Sequence, residues 1–155
     1  MDTNEKLTWL TIDFIEMLAK LVPEQKGSWG VMNAQQMVEH MSYSVRQANG
    51  KDKKILLTPM ENLERMRVFM LSEKPFKENT KNIELAEIPS PVIQTSMQDA
   101  ITELKMELSD FIEYYKKDPG QKLMNPFFGE MNFEEWTHLL HKHATHHAGQ
   151  FGLVE

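Results

Sequence analysis

The stretch NFEEWTHLLHKHATHHAGQF (132–151) decides how this chain is read. Asn132 stands three residues before Glu135, the spacing of a capping box, and apolar residues follow at helical intervals. The pattern predicts a helix from Phe133 to about Gly152. Five of the chain's six histidines fall within ten residues of it, from His138 to His147. Placed on a wheel at roughly 100° per residue, Phe133, Trp136, Leu140 and Phe151 define an apolar stripe. His143 and His147 lie in its middle, four residues apart and therefore stacked, whereas His138 and His141 point to the opposite, solvated side and His146 sits on the flank.

Two imidazoles at that spacing, facing a helical interior, can converge on one metal ion at ~2.0–2.1 Å. The alternative is a pair of core histidines, each needing its own buried hydrogen-bond partner. The glutamate that follows the first histidine in zinc metalloprotease helices is absent, because Lys142 and Ala144 flank His143, so a protease is excluded.

Working outward, three more segments carry the same periodicity. One runs from about residue 4 to 22, with Asp2 and Glu5 as its capping box and Pro23 and Gly27 at its end. A second opens at Asn33 with Gln36 in the reciprocal place, continues through Met37, Met41, Val45 and Ala48, and stops at Asn49-Gly50. Another opens with Thr95 and Gln98, carries Met97, Ile101, Leu104, Leu108, Phe111, Ile112 and Tyr115, and closes at Asp118-Pro119-Gly120. The long connection between these two, about 50–94, exceeds any ordinary loop. Pro59 to Leu71 reads as a short extra helix, and Ser72 to Pro91, with Pro75 and Pro89, as an extended crossover covering the bundle. The fold expected is all-α: one four-helix-bundle domain over 1–155.

Composition narrows the function. With 155 residues the chain can bury a full core, and with no cysteine it has neither disulfides nor a thiolate ligand or nucleophile, so a metal must be held by nitrogen or oxygen. A formal net charge of −6 argues against a nucleic-acid partner, and Lys51, Lys53 and Lys54 read as a solvated loop. The absence of a signal-like N-terminus or an apolar run of ~20 residues predicts a soluble, cytoplasmic protein with no membrane partner. The twelve methionines read as adaptable core filler, and Trp29, Trp136, Phe127 and Phe128 as packing at the bundle ends. Gln150, one turn beyond His147, orients either a ligand or a helix contact.

The remaining histidine, His40, lies at the edge of the Met37/Met41/Val45 stripe, beside Gln36, Tyr43, Ser44 and Gln47. The wheel leaves it open, as a residue lining a cleft between helices or as a surface histidine. As a third ligand it would leave coordination positions open, which is the pattern of catalytic sites.

NAQQMVEH (33–40), HATHHAGQ (143–150) and NPFFGEMNFEEW (125–136) together resemble the DinB/YfiT-like metalloenzyme superfamily, with the resemblance extending over all four helices. It implies an up-down-down-up bundle with one divalent ion, zinc or nickel, on a three-histidine motif that maps onto His40, His143 and His147. It also implies a homodimer and a small-molecule substrate. Relatives of this kind include thiol-dependent transferases and isomerases that use bacillithiol or mycothiol, and others assigned as hydrolases. The leading expectation is therefore a metal-dependent S-transferase that activates a low-molecular-weight thiol. A hydrolase using metal-bound water, with Glu39 or Tyr43 moving protons, and a non-enzymatic metal- or ligand-binding bundle are the alternatives.

Overall fold

Three of the four long helices begin with a reciprocal cap. Asp2 Oδ1 accepts from the Glu5 amide at 2.8 Å while the Glu5 carboxylate accepts from the Asp2 amide at 2.9 Å. Asn33 with Gln36, and Asn132 with Glu135, repeat the arrangement. Each box satisfies two amide donors that a helix start otherwise leaves unpaired. The computed structural model describes residues 1–78 and 89–155. Helix α1 runs over 3–18, as Thr3–Thr8, a π-helical Trp9–Asp13 and Phe14–Leu18. It is followed by α2 (Ala34–Ala48), α3 (Met60–Leu71), α4 (Met97–Lys117), a hairpin of β1 (Leu123–Asn125) and β2 (Gly129–Met131), and α5 (Phe133–Gln150).

The chain is thus mostly helical with a small two-stranded antiparallel sheet, which corrects the all-α expectation. The Asn125 side chain makes the hairpin, accepting from the amides of Phe127 at 2.8 Å and Phe128 at 3.1 Å, and Gly129 takes the positive φ of 82° that follows. Leu123 and Met131 pair across the strands and are buried, and Trp136 donates from its indole nitrogen to the Leu123 carbonyl. Strands of three residues are too short to display alternation, so periodicity could not reveal them.

Two boundaries also differ. α1 ends at Leu18 because the Lys20 and Leu21 amides tighten onto Met17 and Leu18, short of Pro23, which disfavours helix at the residue before it. α4 is capped by Ser96, whose hydroxyl accepts from the Asp99 amide, rather than by Thr95 with Gln98. The Thr95 hydroxyl is instead engaged by the Asp99 carboxylate at 2.6 Å.

The core joins Leu10, Phe14 and Leu18 of α1 to Met37, Met41 and Val45 of α2, to Leu104, Leu108 and Phe111 of α4, and to Trp136 and Leu140 of α5. α2 and α4 share the most extensive interface, and α5 packs against α1, α2, α3 and β2. Met37, Met41, Met70 and Met131 are buried as expected, while Met60 and Met106 are exposed. Lys51 is not merely solvated: its ammonium lies 2.6 Å from both Glu107 and Asp110, and Glu107 also receives Arg46 and Asn49. The extra helix is present as α3, and Ser72 to Glu78 continue from it along α5. The rest of the expected crossover, 79–88, lies outside the described residues. Among the described residues, no helix is long and apolar enough to cross a membrane.

Candidate metal centre

α2 and α5 bring together the three histidines that the sequence singled out. His143 Nε2 lies 3.0 Å from His40 Nε2 and 2.9 Å from His147 Nε2, and a ligand atom from each of the three lies within 4.8 Å of the others. The i, i+4 spacing on α5 stacks His143 and His147, and α2 supplies His40 across the interface, 103 residues earlier in the chain. His147 is buried, and the other two are partly so.

Burial holds all three imidazoles neutral. It lowers His40 to about 4, with the nearby His146 adding to the effect, lowers His147 to about 3, where His40 adds to it, and pushes His143 well below the ordinary histidine value, helped by His147 and His40. Neutral imidazoles are the form that ligates metals.

The hydrogen-bond arithmetic points the same way. Gln150 donates from its amide nitrogen to the Trp29 carbonyl at 2.9 Å, which turns its Oε1 toward His147 Nδ1, 2.7 Å away. His147 therefore carries its proton on Nδ1 and presents a bare Nε2. With His147 so fixed, the trio has one linear N–H···N bond at most for its two close contacts, and the other is left as a close nitrogen–nitrogen approach with no hydrogen bond. Protonation, the other remedy, is opposed by burial. A shared cation removes the conflict, because two nitrogens ~2.0–2.1 Å from one ion stand about 2.8–3.4 Å apart for angles from about 90° to tetrahedral. The donor set, its protonation and its spacing all fit a divalent ion.

Gly27 is what admits Gln150. A Cβ there would lie 2.8 Å from Gln150 Cγ and 3.0 Å from the Trp29 carbonyl oxygen, so any side chain would displace the amide. The Ser28 amide further ties this loop to the end of α5 by donating to the Gln150 carbonyl at 2.8 Å.

Two of the other histidines, His138 and His141, are not where the wheel placed them. His138 and His141 are half-buried: His138 Nδ1 lies 2.8 Å from Lys6 Nζ and its Nε2 3.2 Å from the Ser72 carbonyl, and His141 packs edge-on against Trp9. The wheel assumed one buried face, whereas α5 is covered by α1 and by the end of α3 as well. His146 stays on the flank, its ring 4.7 Å from that of Trp29 and 5.9 Å from that of Phe76. Trp29 and Phe76 thus flank the centre. Trp136 is instead a core residue, and Phe127 and Phe128 belong to the hairpin turn.

Glu39 accepts from the amides of Ile93 and Gln94 and from Gln35, so its carboxylate holds the start of the segment before α4. Tyr43 carries Lys54 over its ring, at 5.1 Å. Three residues about the site were given no part in it by the sequence: Gly27, read only as a helix stop, Lys142, read only as a neighbour of His143, and Phe76. Their only signals were a glycine before Trp29, a lone aromatic within SEKPFKEN (72–79), and a lysine at i+4 from His138.

Compared with known proteins, the chain matches no family model, no curated protein and no solved structure.

Proposed function

We propose that this chain is a divalent-metal-dependent enzyme of the DinB/YfiT-like kind, a thiol-dependent S-transferase whose four long helices form an up-down-down-up bundle. The observation that carries the reading is the convergence of the Nε2 atoms of His40, His143 and His147, with His147 oriented by Gln150. These three residues would hold zinc or nickel, leaving positions open for a cosubstrate. When bound, such an ion favours the thiolate form of a coordinated thiol, which makes it a nucleophile near neutral pH.

The chain's own residues supply the rest. His40 would hold the ion from α2 and His143 and His147 from α5, so the site would be built on two packed helices. The rings of Phe76 and Trp29 pack beside His146, and Phe76 also lies by His143, so they would serve as apolar walls on that side of the histidines. With no cysteine in the chain, the reacting sulfur must come from a low-molecular-weight thiol such as bacillithiol or mycothiol. Hydrolysis is the weaker reading, because Glu39, the carboxylate nearest in sequence to His40, is committed to the Ile93 and Gln94 amides. A cytoplasmic homodimer acting on a small electrophile is the setting this proposal implies.

The test is elemental analysis of untagged protein purified without added metal, alongside His147→Ala, followed by turnover of small electrophiles with and without added thiol. About one divalent ion per chain, lost in the variant, together with turnover that requires thiol, is the expected result. A metal-loaded chain that turns substrate over equally well without thiol would replace transfer by hydrolysis. A chain that takes up no ion even on reconstitution sinks the proposal.

A further inference from the structure

Lys142 immediately precedes a proposed metal ligand and is only 8% exposed, a rare condition for a lysine. Its ammonium is directed at the C-terminal end of α3. Nζ lies 2.9 Å from the carbonyl of Phe69, 3.3 Å from that of Met70 and 3.1 Å from that of Ser72. These carbonyls lie at the helix end, where amide partners run short; the Phe69 carbonyl already accepts from the Ser72 amide and hydroxyl, and an ammonium has three donors to offer the group. The C-terminal end of a helix also carries partial negative charge, which favours a cation there.

The same nitrogen stands 4.4 Å from the centre of the Phe69 ring and 5.5 Å from that of Phe76. The two rings pack on one another at 5.8 Å, and Phe76 reaches on to His143 at 6.4 Å and His146 at 5.9 Å. His138, one turn before Lys142 on the same face of α5, adds a contact to the Ser72 carbonyl. The chain leaving α3 is therefore gripped at Phe69, Met70 and Ser72, and four residues later it delivers an aromatic ring to the histidines.

We propose that Lys142 is a positioning residue: it fastens the end of α3 to α5 and thereby seats Phe76 as a wall of the three-histidine centre. The wall belongs to the centre proposed above and rests on that reading, but the clamp itself needs no ion. A lysine that only filled space would be replaced by methionine without consequence for Phe76. One that positions the segment would not.

The test uses the full chain loaded with zinc and the variants Lys142→Met, which keeps the length and loses the donors, and Phe76→Ala. Two quantities are read: amide hydrogen exchange over 72–76, and the rate at which EDTA strips the zinc. In Lys142→Met, with helical circular dichroism and zinc content unchanged, exchange over 72–76 is expected to rise by about tenfold and stripping by several-fold. Phe76→Ala is expected to speed stripping, and the double variant to lose zinc no faster than the faster single one. Unchanged exchange in Lys142→Met overturns the clamp, and faster exchange with unchanged stripping overturns the seating of Phe76. Should Lys142→Met not fold, Lys142→Arg, which cannot direct one nitrogen at three carbonyls, is read by the same two criteria. If the wild-type chain takes up no zinc, the metal reading fails on its own, and exchange in the zinc-free proteins decides the clamp.

Discussion

The Gln150 side chain fixes the tautomer of His147. Its oxygen faces His147 Nδ1 at 2.7 Å because its nitrogen is already committed to the Trp29 carbonyl. Gln150→Leu keeps the bulk and removes both contacts, leaving His147 free to carry its proton on Nε2. Zinc affinity is expected to fall by about 10–100-fold, measured by competition with a chromophoric chelator. Unchanged affinity would mean that the His147 tautomer is set elsewhere.

Gly27→Ala acts on the same contact from the other side. The added methyl meets Gln150 Cγ and two carbonyl oxygens at 2.8–3.1 Å, so Gln150 or the loop must move. A loss of about 1–3 kcal/mol is expected in urea unfolding, with weaker zinc binding. Because both changes disturb one amide, their effects on affinity should be less than additive.

His143→Leu separates stability from function. In metal-free protein the substitution removes the nitrogen crowded at 2.9 and 3.0 Å by its neighbours, so the chelated variant should melt no lower than the chelated wild type. Zinc should raise the melting temperature of the wild type, by the equivalent of about 2.7 kcal/mol at a hundredfold excess over Kd, and leave the variant unmoved. An equal zinc response in both would remove His143 from the ligand set.

Without metal the protein should be acid-sensitive. Burial holds the folded-state pKa of His40 at about 4 and of His147 at about 3, below the 6.5 of an unfolded histidine, so below that pH the unfolded chain takes up protons that the native one refuses. Stability is full above 6.5 and is lost as the pH falls toward 4 and 3. For His40 alone the full loss is about 3 kcal/mol, comparable with a substantial share of a domain's stability. Urea unfolding of chelated protein near neutral pH and near pH 5 measures it. A flat profile would show that the histidines are solvated.

What the sequence made legible is local. The caps at Asp2/Glu5, Asn33/Gln36 and Asn132/Glu135 act over three residues, and each was readable from spacing alone. Thr95 and Ser96 each precede a plausible partner by three residues, so spacing could not choose between them, and the pairing of Asp99 with both hydroxyls decided it. His143 and His147 were readable as a pair because they share one helix. His40 was left open by its own helix, because its role depends on how α2 meets α5. The same limit explains His138, His141 and Lys142: a wheel describes one helix, and only packing reveals that α5 has neighbours on more than one side. The hairpin hid behind strands too short to show a period.

The reciprocal caps have a consequence for the order of events in the life of the molecule. Three helices carry their start signals within a few residues, while His40 must find His143 across 103 positions of chain. Helical segments can be nucleated locally, but the nest of nitrogens exists only once contacts far apart in the sequence have closed. On the proposed metal reading, metallation would be a final assembly step performed on a finished scaffold. In a cell, the competent fraction of this protein would be governed by the supply of the ion at least as much as by the success of folding.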